Sequence, residues 1–172
     1  PTTAVGGNAM VRVLHLSPDA PEVDVYVNGG DTPVVEGLAF NDGTGYLEVP
    51  ADTYSFQIAP AGTSVDDAVL EISDLPLEAD TMYSAVAYDY VSNLSALALV
   101  DDPAGIDALE VRYQVTHAAP GVGEVDIWVI TDAGASPLLE NVPFGATATL
   151  DVPASAYTFG FDVDDDAVPD VI

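Results

Sequence analysis

The sequence predicts an all-β protein of two tandem sandwich domains, and three observations carry that expectation. Apolar residues alternate with polar ones in short runs, turn-forming residues fall between the runs, and the whole pattern occurs twice.

In the first copy, Val13-Leu14-His15-Leu16 reads as a strand that stops at the turn Ser17-Pro18-Asp19. Val23, Val25 and Val27 then alternate with Asp24 and Tyr26, and Asn28-Gly29-Gly30 closes that run. Pro33-Val34-Val35-Glu36 follows, then the turn Asn41-Asp42-Gly43, then Leu47-Glu48-Val49. Tyr54, Phe56 and Ile58 alternate with Ser55 and Gln57 and end at Pro60-Ala61-Gly62. These punctuation residues have a mechanism: glycine and asparagine accept positive φ, and proline fixes its own φ. The runs Val69–Ile72, Met82–Tyr88 and Ser95–Val100 complete the copy. No amphipathic helix longer than two turns is expected. Tyr83 enters its strand just after a turn, which resembles the tyrosine corner of immunoglobulin-like sandwiches.

The second copy repeats these signals. Val13-Leu14-His15 matches Val115-Thr116-His117, and Glu22–Val27 matches Glu124–Val129 in the same register. Pro33–Glu36 answers to Pro137–Glu140, Phe40 to Phe144, Leu47–Ala51 to Leu150–Ala154, and Tyr54-Ser55-Phe56 to Tyr157-Thr158-Phe159. The acidic loop recurs as Asp66-Asp67-Ala68-Val69 and Asp165-Asp166-Ala167-Val168. The organisation expected is a leader or donor segment over 1–9, a first sandwich over 10–103 and a second over 104–172. Asp101-Asp102-Pro103-Ala104-Gly105 is the short link.

Arg12-Val13-Leu14-His15-Leu16-Ser17-Pro18-Asp19-Ala20-Pro21, followed by Val23–Val27 and Tyr46–Pro50, resembles the exported prokaryotic family called domain of unknown function 4397. The resemblance covers nearly all of the first copy and two-thirds of the second. It implies tandem immunoglobulin-like or transthyretin-like β-sandwiches on secreted or surface proteins, and it supplies no activity. One departure is that Gln114 stands where Arg12 would be matched, with Arg112 two residues earlier.

The second copy is expected to lack its closing strands. After its acidic loop only Val168–Ile172 remains, against three further runs in the first copy. Two missing strands would remove about three or four inward side chains each, and each buried apolar side chain contributes about 1.5–3 kcal/mol. The deficit is on the order of 10–20 kcal/mol, comparable with the roughly 5–15 kcal/mol that holds a whole domain. Three remedies stay open: more chain beyond Ile172, strands donated by a neighbouring subunit into a polymer, or cover from within the chain. The start at Pro1 fits a processed or trimmed product.

Composition excludes several classes. Among 172 residues there are 29 acidic and two basic ones, giving a net charge of −27, which repels phosphate backbones and anionic membrane surfaces. Nucleic-acid binding is therefore not expected, and no stretch is long and apolar enough for membrane insertion. The absence of cysteine removes disulfides, thiolate metal sites and cysteine nucleophiles.

Candidate chemistry is sparse. His15 and His117 each precede an aspartate, Asp24 or Asp126, by nine residues, a spacing that allows structural His–Asp hydrogen bonds. A catalytic set of Ser17, His15 and Asp19 or Asp24 is not expected, because Ala119 and Gly121 stand in the second copy where Ser17 and Asp19 do in the first. Asp162, Asp164, Asp166 and Asp170 alternate as hard-cation ligands do, so calcium is the one cofactor admitted, against the plainer reading of a solvated loop. Tyr26 and Trp128 are equivalent and form a candidate carbohydrate- or ligand-stacking platform, against ordinary packing. Asn93-Leu94-Ser95 fits a glycosylation acceptor.

The expectation is a non-enzymatic, secreted or cell-surface protein acting in assembly or adhesion, a filament or matrix subunit completed by strand donation. Its partners would be further copies of itself or another surface protein. The alternative is an extracellular carbohydrate- or protein-binding module, with or without calcium.

Overall fold

A computed structural model describes residues 6–132, 134–164, 166 and 168–170. The leader or donor segment expected over 1–9 lies outside the described residues as far as Val5, and Asn8 already belongs to the first strand. Asp165, Ala167, Val171 and Ile172 also lie outside them. The chain is all-β and divides into two compact units, Pro1–Asp102 and Pro103–Ile172. The only helical turns among the described residues are short 3-10 turns at Val65–Asp67 and Val91–Asn93.

The first unit contains β1 (Asn8–Leu16), β2 (Val23–Val27), β3 (Val35–Leu38), β4 (Leu47–Pro50), β5 (Asp52–Pro60), β6 (Leu70–Leu77), β7 (Met82–Tyr88) and β8 (Ser95–Val100). One sheet has the order β4-β1-β7-β8 and the other β3-β2-β5-β6. The alternation foreseen in β1 and β5 turns Val11, Val13, Phe56 and Ile58 inward, where they meet Val23, Val25, Leu77 and Tyr83 in one core. β7 lies between two neighbours, parallel to β1 from Met10↔Met82 to Leu16↔Tyr88 and antiparallel to β8. Residues Tyr83 to Ala87 are all buried, which accounts for the run of small side chains Ser84, Ala85 and Ala87 in that strand. The Tyr83 hydroxyl accepts the Glu78 amide at 3.1 Å, the local anchor that the sequence position suggested.

The second unit contains β9 (Glu110–Thr116), β10 (Val125–Thr131), β11 (Gly134–Val142), β12 (Thr147–Pro153) and β13 (Thr158–Asp162), in sheets β12-β9 and β11-β10-β13. These five strands repeat β1 to β5 in order and pairing. Among the described residues no strand answers β6, β7 or β8, so β9 pairs with β12 alone and β13 with β10 alone. The repetition extends to single hydrogen bonds. The Tyr54 hydroxyl donates to the Pro50 carbonyl at 2.9 Å, and Tyr157 repeats this on Pro153 at 2.6 Å.

One correspondence expected from sequence moves. The Val69 amide reaches the Ile58 carbonyl at 2.8 Å, and the matching bond in the second unit runs from Asp170 to Phe161 at 2.8 Å. Asp170 therefore stands where Val69 does, not Val168, and the intervening loop is two residues shorter. Matching Asp-Asp-Ala-Val by letters alone makes that loop four residues shorter, a larger deletion than the hydrogen bonds show.

Candidate functional site

The histidines sit at the same turn in both units. His15 is almost completely buried, and its Nε2–H donates to the Pro21 carbonyl at 3.1 Å while the Ser17 amide approaches Nδ1 at 3.4 Å. His117 repeats this with the Gly123 carbonyl at 2.8 Å and the Ala119 amide at 3.4 Å. A carbonyl can only accept and an amide can only donate, so in both rings Nε2 carries a proton and Nδ1 faces a donor. The backbone around them is also shared: the His15 amide donates to Asp42 and its carbonyl accepts from Asn41, as His117 does with Ala146 and Gly145. Asn41 and Gly145 both take positive φ to make that return.

The expected His–Asp hydrogen bonds are not what the aspartates do. Asp24 is buried and accepts two backbone amides, Gly37 on Oδ1 and Gly62 on Oδ2, each at 2.8 Å. Asp126 accepts the Asn141 amide at 2.6 Å. Gly37 and Asn141 have φ of 62° and 56°, a left-handed conformation that turns each amide inward towards the carboxylate. Spacing along the chain placed histidine and aspartate at one end of the sandwich, but each had a nearer backbone partner. A buried carboxylate is satisfied most cheaply by amides fixed in the fold.

No catalytic set forms from these groups. The Ser17 hydroxyl is buried without a hydrogen-bond partner, the Nδ1 that would activate it faces an amide, and Asp19 accepts the Val91 amide at 2.8 Å. The stacking platform is also corrected. Tyr26 is only 2% exposed and its hydroxyl donates to the Thr63 carbonyl at 2.6 Å, so it presents no ring to solvent. Burial first, then Asp24, Glu36 and Asp67, raise its pKa. Trp128 is half-buried, with its indole nitrogen enclosed and unpartnered.

Of the four aspartates aligned as cation ligands, three converge. Carboxylate oxygens of Asp162, Asp164 and Asp166 lie within 4.8 Å of one another. Asp170 instead accepts the Val163 amide at 2.9 Å, and Asp162 and Asp166 accept the amides of Asp164 and Val168. The carboxylates thus brace their own loop, and repulsion from Asp166 and Asp170 raises the Asp164 pKa. A cluster held this way is accounted for by the loop itself.

What remains is an opening in the second unit. Val115, His117, Val125, Ile127, Phe161 and Val163 line an apolar cleft of about 240 Å³. The corresponding place in the first unit, beside Val13, Val25 and Ile58, retains only about 10 Å³ because Ile72 of β6, Ala85 and Ala87 of β7 and Ala96 of β8 fill it. Phe161 is 38% exposed where its counterpart Ile58 is 4% exposed. The bared interior was legible from the repeat, but the part played by Tyr113 was not. It stands where Val11 does, and its ring lies edge-on to Phe159 at 5.2 Å and Tyr157 at 6.3 Å. Aligning the two β1-type strands on their histidines was the signal that reveals it.

The arginine departure has a structural cause. Arg12 donates to Ser84 of β7 at 2.7 Å and lies 5.0 Å from the Tyr46 ring centre, while Ser84 and Tyr46 both donate to Asp101 just past β8. Two of these partners belong to the part of the fold that the second unit does not repeat. Arg112, on β9, pairs with Asp151 of β12 instead.

A profile of the family described as Domain of unknown function (DUF4397) matches residues 9–128, which spans the strands of the first unit and ends within β10. No curated protein matches the chain.

Proposed function

From the premise that the chain belongs to the family described as a domain of unknown function (DUF4397), we propose a non-enzymatic, secreted or cell-surface protein that works in assembly or adhesion. In this reading its second unit receives a β-strand from another polypeptide. The supporting observation is the contrast between equivalent places: about 240 Å³ of open apolar cleft in one unit, closed by β6 to β8 in the other. An edge strand beside an apolar cleft offers main-chain bonds for affinity and side-chain seats for specificity. Both histidines are occupied by backbone partners, which favours a structural role over catalysis.

The charge of −27 would oppose the approach of similar acidic copies, so association should strengthen as salt screens it. Light scattering and electron imaging across protein and salt concentration test the reading. Concentration-dependent oligomers or filaments that grow with salt are expected. A monomer under every condition would overturn assembly.

A further inference from the structure

We propose that two copies of this chain pair antiparallel through the outer edge of β8, about a two-fold axis at Leu97. This pairing rests on the assembly reading and adds to it a contact apart from the cleft of the second unit. The sheets of the first unit are bordered by β4, β8, β3 and β6. Three of these carry the usual protections of an edge. β4 has Glu48 and Pro50, and β3 is four residues long with Glu36 and an irregular register. β6 has Glu71, Pro76 and Asp74 at a φ of 53°. β8, Ser95-Ala96-Leu97-Ala98-Leu99-Val100, has none of these devices. Among the described residues β7 is its only strand neighbour, paired over all six residues without a register shift. No charged residue occurs from Tyr90 to Val100. In a chain of net charge −27, a regular uncharged edge is where a like copy meets least repulsion.

The hydrogen-bond phase of the sheet fixes how the pair forms. Asp101, just past β8, donates its amide to the Met82 carbonyl at 2.8 Å. Every second residue before it, Leu99, Leu97 and Ser95, therefore turns its main chain towards β7. Ala96 and Ala98 turn theirs to the outer edge, and Ala98 is exposed. On the other side of β7 the Met10 amide reaches the Thr81 carbonyl at 2.9 Å, which gives the same phase. A two-fold axis at Leu97 sets Ala96 opposite Ala98 of the other copy, twice over, and makes four main-chain bonds. Ala96 borders the core beside Ala85 and Ala87, so Ala98 shares that side and Leu97 and Leu99 take the outer face. The same axis keeps core-side residues opposite core-side residues and sets Ser95 opposite Leu99. Asp101, whose carboxylate already receives Ser84 and Tyr46, falls beyond these pairs. A centre at Ala98 would draw it in opposite Ser95. With Leu97 on the axis, no like charges stand opposite each other.

The test uses the whole chain, which has no cysteine, so a single introduced cysteine can form a disulfide only with another copy. Across the axis the two Leu97 Cα atoms would lie about 4.5 Å apart, within disulfide reach. The two Leu99 Cα atoms would lie about 14 Å apart, beyond it. Under mild oxidation Leu97→Cys should give at least about ten times more covalent dimer than Leu99→Cys. Ala98→Pro keeps the bonds to β7, because the Ala98 amide points away from it, and removes a donor from the pair. That chain should melt close to wild type and dimerise at least about tenfold more weakly in sedimentation. Should it fail to fold, the two cysteine chains decide alone. Equal cross-linking at both positions, none at Leu97, or wild-type dimerisation of a folded Ala98→Pro chain would overturn the proposal. Oligomers that form without cross-linking at Leu97 would refute the β8 contact while upholding assembly. A Leu97-linked dimer that grows no further would uphold the contact and refute a filament.

Discussion

Arg112 holds Asp151 through two hydrogen bonds, Nε to Oδ1 at 2.7 Å and Nη2 to Oδ2 at 2.6 Å, across the only pairing β9 makes among the described residues. The hydrogen bonds from Arg112 lower the Asp151 pKa despite a smaller opposing contribution from desolvation. A lowered pKa means that the folded state holds this proton less tightly than the unfolded one. The pair therefore stabilises above the unfolded value and loses its effect as pH falls through the folded one. Arg112→Met should lower the thermal midpoint modestly at pH 7. Because both groups are partly exposed, the difference should shrink in high salt and in strong acid, down to what the Arg112 Nη1 bond to the Ala104 carbonyl at 2.9 Å contributes. Melting curves of both chains against pH and salt check this, and a difference as large at pH 2 as at pH 7 would refute it.

The Asp24 carboxylate serves as an acceptor for two separate loops. Asp24→Ala would leave the Gly37 and Gly62 amides facing a buried void, at a cost of roughly 2–4 kcal/mol. Asp24→Asn keeps one oxygen and should cost less, since its amide nitrogen must face the other donor. Denaturant unfolding of the first unit would show the order wild type, Asn, Ala. Equal stability of the alanine variant would mean that the two loops close without this anchor.

Ser17→Ala should be neutral or stabilising, by up to about 1 kcal/mol, because it removes a buried hydroxyl that has no partner. Ala119 already holds the matching position in the second unit with the same amide-to-histidine contact. Chemical denaturation gives the answer. A loss above about 1 kcal/mol would point to a hydrogen bond that the hydroxyl makes and alanine cannot.

The strands and the duplication were legible because alternation has a fixed period and the second copy repeats the first five runs. Side-chain partners were harder to read. Spacing pairs Asp24 with His15, yet the carboxylate takes its hydrogen bonds from the amides of Gly37 and Gly62, which neither spacing nor residue type marks as donors. Tyr26 alternates as an outward residue should, but Thr63 on the loop after β5 folds back to bury it. Loop paths decide such matters, and the pattern of residue types along the chain carries little information about them. The open cleft was legible for the opposite reason: it follows from counting strands.

Asp164 carries a raised pKa, chiefly through repulsion from Asp166. Here the folded state binds the proton more tightly than the unfolded one, so the charged form is a net cost at neutral pH that is relieved as pH falls through the folded value. Asp164→Asn should therefore raise the melting temperature of the second unit at pH 7, and the gain should fade as pH approaches about 4. An unchanged midpoint at pH 7 would show that solvent already screens the cluster.

Ile58 and Phe161 occupy the same position on β5 and β13 but differ in cover, and truncating each measures what the missing layer is worth. Ile58→Ala removes a side chain packed on all sides and should cost about 2–5 kcal/mol. Phe161→Ala removes a larger ring that is 38% exposed, so part of its transfer free energy is not yet realised in the chain alone. Its cost should stay at about 1–2 kcal/mol until a strand seats in the cleft, and then rise towards the roughly 3–5 kcal/mol usual for a buried phenylalanine. Unfolding of the second unit, followed by the fluorescence of Trp128, the sole tryptophan, at low protein concentration and under assembling conditions, separates the two cases. If Phe161→Ala is as damaging as Ile58→Ala without any partner, the second interior is already closed, and neither a donated strand nor an assembly built on one is needed.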